Sequence, residues 1–205
     1  MKKLILTSNG FENPKIGKNF LDVFGKDPEE IKLLFIPIAS RTEEELYYVE
    51  ESRKELFDLG IKKENIKDYN LDREIDDEEL NDFDSIYVCG GNTFYLLHIL
   101  RENGFDKKII NMVNNGIVYV GVSAGSILVG PNVEISGIDV SWDKNDVGLK
   151  DTFGLNLIDK IISPHYTKKE EKIIKQYEKE KNVKVLRLKD NQALLILGDK
   201  EEILE

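Results

Sequence analysis

Short apolar runs separated by charged stretches recur along the whole chain: Leu4–Leu6, Leu33–Ile38, Ile66–Leu71, Ile86–Cys89, Ile117–Val122, Ile161–Ser163 and Val183–Leu188. Several are continuous rather than alternating, as strands covered on both faces should be. Helical patterns lie between them. One spans Glu43 to Leu59, preceded by Thr42 with Glu45 three residues on, the spacing of a capping box. Another spans Lys168 to Lys181, opened by Thr167 and Glu170 in the same relation. Two more, around Asn92 to Asn103 and Asp106 to Asn115, end at Gly104 and Gly116, residues suited to a left-handed helix stop. Strands alternating with helices predict right-handed crossovers and a doubly wound, mostly parallel sheet flanked by helices. The stretch Gln192 to Leu204 predicts a short antiparallel hairpin at the sheet edge, turning at Gly198-Asp199.

No linker rich in Pro, Gly or Ser and no internal repeat breaks this pattern, so a single α/β domain over residues 1–205 is expected. The least regular piece, Pro131 to Thr152, is long enough to predict a lid or a wall of the site. The apolar run after Met1-Lys2-Lys3 stops after three residues, too short for a signal peptide, and no stretch reaches the roughly 18 apolar residues of a membrane span. A cytoplasmic protein with no membrane partner is the expectation. The formal net charge of −10 argues against a grip on nucleic acid. One cysteine, Cys89, and two histidines leave no disulfide and too few soft ligands for a structural zinc site, so neither metal nor cofactor is expected.

Chemistry therefore has to come from other residue types. In Gly121-Val122-Ser123-Ala124-Gly125 an apolar strand runs into G-x-S-x-G and then into a helix-compatible stretch, the context of a nucleophile elbow. Small neighbours let Ser123 occupy a tight strand-to-helix turn at the carboxyl ends of the strands, where open α/β sheets bind ligands. A serine nucleophile needs a base. His165 follows an apolar strand and so reaches the same edge, whereas His98 falls inside an apolar helix and reads as packing. Asp190, just after the last parallel strand, is the candidate to orient His165, with Asp139 in the irregular segment as the fallback. The turn Gly90-Gly91-Asn92-Thr93-Phe94 also joins strand to helix, and its backbone N–H groups could hold a developing oxyanion. Asn92, Thr93, Asp139 and Tyr166 are candidate substrate contacts, and Cys89 reads as buried strand sulfur.

Together, Gly90-Gly91-Asn92-Thr93-Phe94, the elbow around Ser123, Leu155-Asn156-Leu157 and Ser163-Pro164-His165-Tyr166 resemble the aspartyl dipeptidase (dipeptidase E) family of serine peptidases, over most of the chain. The resemblance implies the class I glutamine amidotransferase-like scaffold, Ser123 as nucleophile, His165 as general base, and Gly91 and Ala124 as oxyanion-hole amides. It also implies a glutamate where this chain has Asp190, one methylene shorter. The characterised dipeptidases carry tryptophan where Val122 stands, so their preference for an N-terminal aspartate does not carry over. The expected activity is hydrolysis of small peptides through an acyl-enzyme. An esterase or amidase of small acyl compounds, or a ligand-binding homologue without activity, remain the alternatives. A carboxylate-bearing substrate would need a cation, for which Lys144, Lys150, Lys168, Lys169 and Lys189 are the candidates. Either a monomer or a homodimer fits the composition.

Overall fold

The computed structural model describes residues 1–205. Its main sheet has seven strands: β1 (Lys3–Thr7), β2 (Leu33–Ile36), β3 (Ile66–Asp68), β4 (Ser85–Val88), β5 (Val118–Val122), β8 (Ala193–Leu197) and β9 (Lys200–Leu204). They lie in the order β3-β2-β4-β5-β1-β8-β9. The first five run parallel, with β1 directly beside β5, and the terminal hairpin β8–β9 adds antiparallel to β1. All residues of β4 and β5 are buried, which is why those stretches read as unbroken apolar runs.

Alternate residues of each strand serve two cores. Leu4, Leu6, Ile86 and Tyr119 pack with α4 (Thr93–Glu102), α5 (Phe105–Asn114) and α6 (Ala124–Leu128). Ile5, Tyr87 and Val120 face α1 (Pro14–Phe24) and α2 (Glu43–Asp58). A period of two in the strands thus produces helices on both faces, the doubly wound arrangement. The capping box of α2 forms: the Glu45 N–H donates to the Thr42 hydroxyl at 3.2 Å, and the Thr42 N–H donates back to the Glu45 carboxylate at 2.8 Å. The short helix α3 (Asp77–Leu80) precedes β4.

Two expectations are corrected. The strands β6 (Ile161–Ser163) and β7 (Val185–Arg187) do not join the main sheet; they pair with each other, in parallel, as a separate two-stranded sheet. The last helix, α7 (Glu171–Lys181), starts three residues later than its cap pattern suggests. The Thr167 N–H and hydroxyl both donate to the Glu170 carboxylate, at 2.8 and 2.7 Å, closing a separate turn before the helix begins.

Candidate active site

The parallel strands deliver their carboxyl ends to one edge, and the candidate residues collect there. Ser123 follows β5 with φ 48° and ψ −105°, a strained conformation for a residue with a side chain. Its surroundings impose it. The Ser123 N–H donates to the Thr7 carbonyl at 3.0 Å, and the Ser126 hydroxyl is 2.7 Å from the carbonyls of both Thr7 and Gly121. The Tyr119 hydroxyl donates to the Gly125 carbonyl at 2.8 Å. The two elbow glycines permit this compression: a Cβ on Gly121 would lie 2.5 Å from the Gly125 carbonyl oxygen, and one on Gly125 would lie 2.4 Å from that of Val88.

The separate β6–β7 sheet brings in the partners of Ser123. His165 follows β6 and Asp190 follows β7, locked together because the Leu188 N–H donates to Ser163 and the Tyr166 N–H donates to Leu188, both at 2.9 Å. The His165 Nε2 lies 2.9 Å from Ser123 Oγ, and its Nδ1 lies 2.7 Å from Asp190 Oδ1. With the ring proton on Nδ1 facing the carboxylate, Nε2 is free to accept the serine proton. The His165 side chain is 49% exposed, so a molecule arriving from solvent can reach this line of three groups.

The glycine turn after β4 forms the other side of Ser123. A Cβ on Gly90 would sit 3.3 Å from the Ser123 Cβ. Gly91 has φ 126°, and a Cβ there would fall 2.2 Å from the Ala39 carbonyl oxygen, so only glycine fits. The Asn92 N–H donates to Ala39 at 3.0 Å and the Ser40 hydroxyl to Gly90 at 2.9 Å, fastening the turn. Ala124 is the first residue of α6, where a backbone N–H lacks an intrahelical acceptor.

The other candidates divide. Asn92 caps α4, accepting the Tyr95 N–H at 2.9 Å, and donates to the Lys144 carbonyl at 3.0 Å, so it holds the irregular segment in place. Thr93 is buried on the wall of a cavity; its N–H donates to Asp143 at 2.7 Å, and its hydroxyl has no partner. Tyr166 turns away and donates to Glu171 at 2.9 Å. Asp139 lies in neither cavity at Ser123; the Ser141 hydroxyl and N–H both donate to it, holding its carboxyl below the usual range. His98 is half-buried on α4, 3.4 Å from Glu102, and burial pushes the Cys89 thiol up.

Two cavities share Ser123, His165 and Gly91. One, of about 570 Å³, opens between α2 and the end of β1; the other, of about 310 Å³, has Ile127, Ile135 and Trp142 in its wall. Of the two roles expected for the irregular segment, lid or wall, it takes the position of a wall of the smaller cavity, through Ile135, Ser136, Trp142 and Asp143. Asp143 in that wall is held above the ordinary carboxyl range by burial, with the Thr93 hydrogen bond opposing. None of the five lysines considered as substrate cations lines either cavity. Two residues went unread in the sequence. Ser8, fully buried at the end of β1, accepts the His165 N–H at 2.6 Å, and Asp143 contributes a half-buried carboxylate.

Comparison with known proteins adds to this geometry. The model of peptidase family S51 matches residues 4–204. An uncharacterized peptidase of Listeria innocua serovar 6a is 33% identical over 207 residues, covering 96% of this chain and 93% of the relative. A peptidase E of Nostoc sp. is 32% identical over 175 residues, covering 81% and 66%. A crystal structure from Listeria monocytogenes EGD-e, of a protein named for peptidase E, superposes with a TM-score of 0.81 at 31% identity, covering 100% of this chain and 98% of the other.

Proposed function

This chain belongs to peptidase family S51 and is a peptidase, and we propose that it hydrolyses small peptides by a serine mechanism in which Ser123 forms the acyl-enzyme. The carrying observation is the unbroken line Ser123 Oγ, His165 Nε2, His165 Nδ1, Asp190 Oδ1, with gaps of 2.9 and 2.7 Å. His165 takes the hydroxyl proton as Ser123 attacks the scissile carbonyl. Asp190 fixes the ring tautomer and stabilises the imidazolium that forms. The Gly91 and Ala124 N–H groups meet the tetrahedral oxyanion, and each such donor contributes about 3 kcal/mol in the transition state. His165 then protonates the leaving amine, and water repeats the sequence on the acyl-enzyme to release the second product.

Active-site titration with a fluorophosphonate, followed by intact mass, tests the reading. One adduct is expected on the wild type, none on Ser123→Ala, and slow labelling of His165→Ala and Asp190→Asn, with dipeptide hydrolysis following the same ranking. A folded wild type that takes no label would overturn the assignment of Ser123. Hydrolysis of p-nitrophenyl esters without hydrolysis of dipeptides would shift it to an esterase.

A further inference from the structure

Carboxylates line both cavities at Ser123, and no lysine or arginine lines either one. Glu12, Glu45, Glu51, Glu55 and Asp190 border the larger cavity, while Asp143 and Glu170 border the smaller. The arginines of α2 and the loop before it are engaged elsewhere. Arg41 lies over the Tyr95 ring and pairs with Asp146, and Arg53 makes a two-pronged bridge to Asp68. A substrate carboxylate placed beside Ser123 would meet carboxylates on both sides and no lysine or arginine.

On this basis, and resting on the peptidase reading, we propose that the larger cavity is a subsite for a cationic group of the peptide, so that the enzyme selects basic rather than acidic substrates. The acids are not an isolated surface patch: they wall a cavity of about 570 Å³ that includes Ser123 and His165, so a peptide cleaved there lies against them. Glu51 is half-buried and makes no hydrogen bond or ion pair in the protein, which leaves its carboxylate for an incoming donor. Burial, opposed by the Phe11 N–H and reinforced by Glu12, Glu51 and Asp58, holds Glu55 above the usual carboxylate range, and no lysine or arginine lines the cavity beside it. Tyr47 and Tyr48 complete the wall. Their exposed rings meet edge to face at 5.5 Å, and aromatic faces beside carboxylates attract ammonium and guanidinium groups.

The test compares kcat/KM for matched dipeptides, Lys-Ala against norleucine-Ala and Ala-Lys against Ala-norleucine, with Asp-Ala as the acidic control. In at least one pair the lysyl peptide is expected to be faster by about tenfold, with Asp-Ala slowest. Glu51→Gln and, on a different element, Glu12→Gln should each shrink that advantage, and Glu51→Lys should move preference toward Asp-Ala; thermal melts confirm that each variant is folded. Equal rates for lysine and norleucine, or a preference for Asp-Ala, would overturn the proposal. Calorimetric binding of Lys-Ala and norleucine-Ala to Ser123→Ala separates this from failure of the peptidase reading. If no dipeptide is cleaved, tighter binding of Lys-Ala that Glu51→Gln weakens still upholds the cationic subsite, and binding indifferent to charge overturns it.

Discussion

The main-chain N–H of His165 donates to the hydroxyl of Ser8 at 2.6 Å, and that hydroxyl in turn lies 3.4 Å from the Asp190 carboxylate. Ser8 thus ties the end of β1 in the main sheet to both residues carried by the separate β6–β7 sheet. His165 has φ 54°, a left-handed conformation that needs such an anchor. Ser8→Ala is expected to lower kcat about tenfold with KM little changed, and to cost about 1 kcal/mol of stability for the lost buried hydrogen bond. Steady-state kinetics, the fluorophosphonate labelling rate and a thermal melt check this. Unchanged labelling in a destabilised variant would make Ser8 structural only.

Asp190 and Asp139 are distinguished by what surrounds them. Asp190 accepts from His165 at 2.7 Å, whereas the Asp139 carboxylate is occupied by Ser141. Asp190→Asn, which favours the wrong ring tautomer, is expected to lower kcat by a factor of about a thousand or more. Asp139→Asn should leave kcat near the wild-type value. Asp190→Glu, which adds a methylene where the gap is already closed, should fall between them. Measuring kcat for the three variants orders the carboxylates, and loss of activity in Asp139→Asn alone would move the orienting role to the irregular segment.

Much of this site could be read from the sequence because each catalytic candidate ends an apolar run. Val118–Val122 precedes Ser123, and Ile161–Ser163 precedes His165 by one proline, so strand ends marked the edge on which side chains would meet. Pairing partners were not legible in the same way. Nothing in the apolar runs of β6 and β7 distinguishes a strand of the main sheet from one that pairs outside it, because both bury Val, Ile and Leu. The helix α1 has equally local signals, in Asn13, Pro14, the left-handed Gly25 and the four-residue spacing of Ile16, Phe20 and Phe24 on one face, although the apolar runs of the strands do not point to it. Ser8 and Asp143 lie in polar stretches, where a residue that anchors the site looks the same as one facing water until the chain folds.

Gly91 cannot be replaced without moving the turn that faces Ser123. Its φ of 126° is costly for any side chain, and an added Cβ would overlap the Ala39 carbonyl, 2.2 Å away. Gly91→Ala is expected to lose about 1–3 kcal/mol of stability through backbone strain and about a hundredfold in kcat as the N–H leaves the oxyanion. Chemical denaturation and kcat at a temperature where the variant is folded test the two effects separately. Near-normal turnover in a folded Gly91→Ala would take this amide out of the mechanism.

Behind His165 and Asp190, Glu171 at the start of α7 ties the segment after β6 to the end of β7. The Tyr166 hydroxyl donates to it, Lys175 pairs with it at 3.1 Å, and Arg187 Nε reaches it at 2.9 Å; together they hold its carboxyl down to about 2. A carboxylate held lower in the folded than in the unfolded chain stabilises the fold when ionised. Its contribution is therefore complete above the ordinary value of 4.5, declines as pH falls from there through about 2, and is absent below both. Glu171→Gln should melt below the wild type by a constant margin from pH 6 to 8, and the margin should narrow steadily as pH drops below 4.5. Tyr166 adjoins His165 and Arg187 lies on the strand leading to Asp190, so the same variant should also lose some kcat at neutral pH. Melting curves of both proteins between pH 3 and 8 decide the matter, since a margin that stays flat down to pH 3 would mean that Glu171 does not hold the small sheet by its charge.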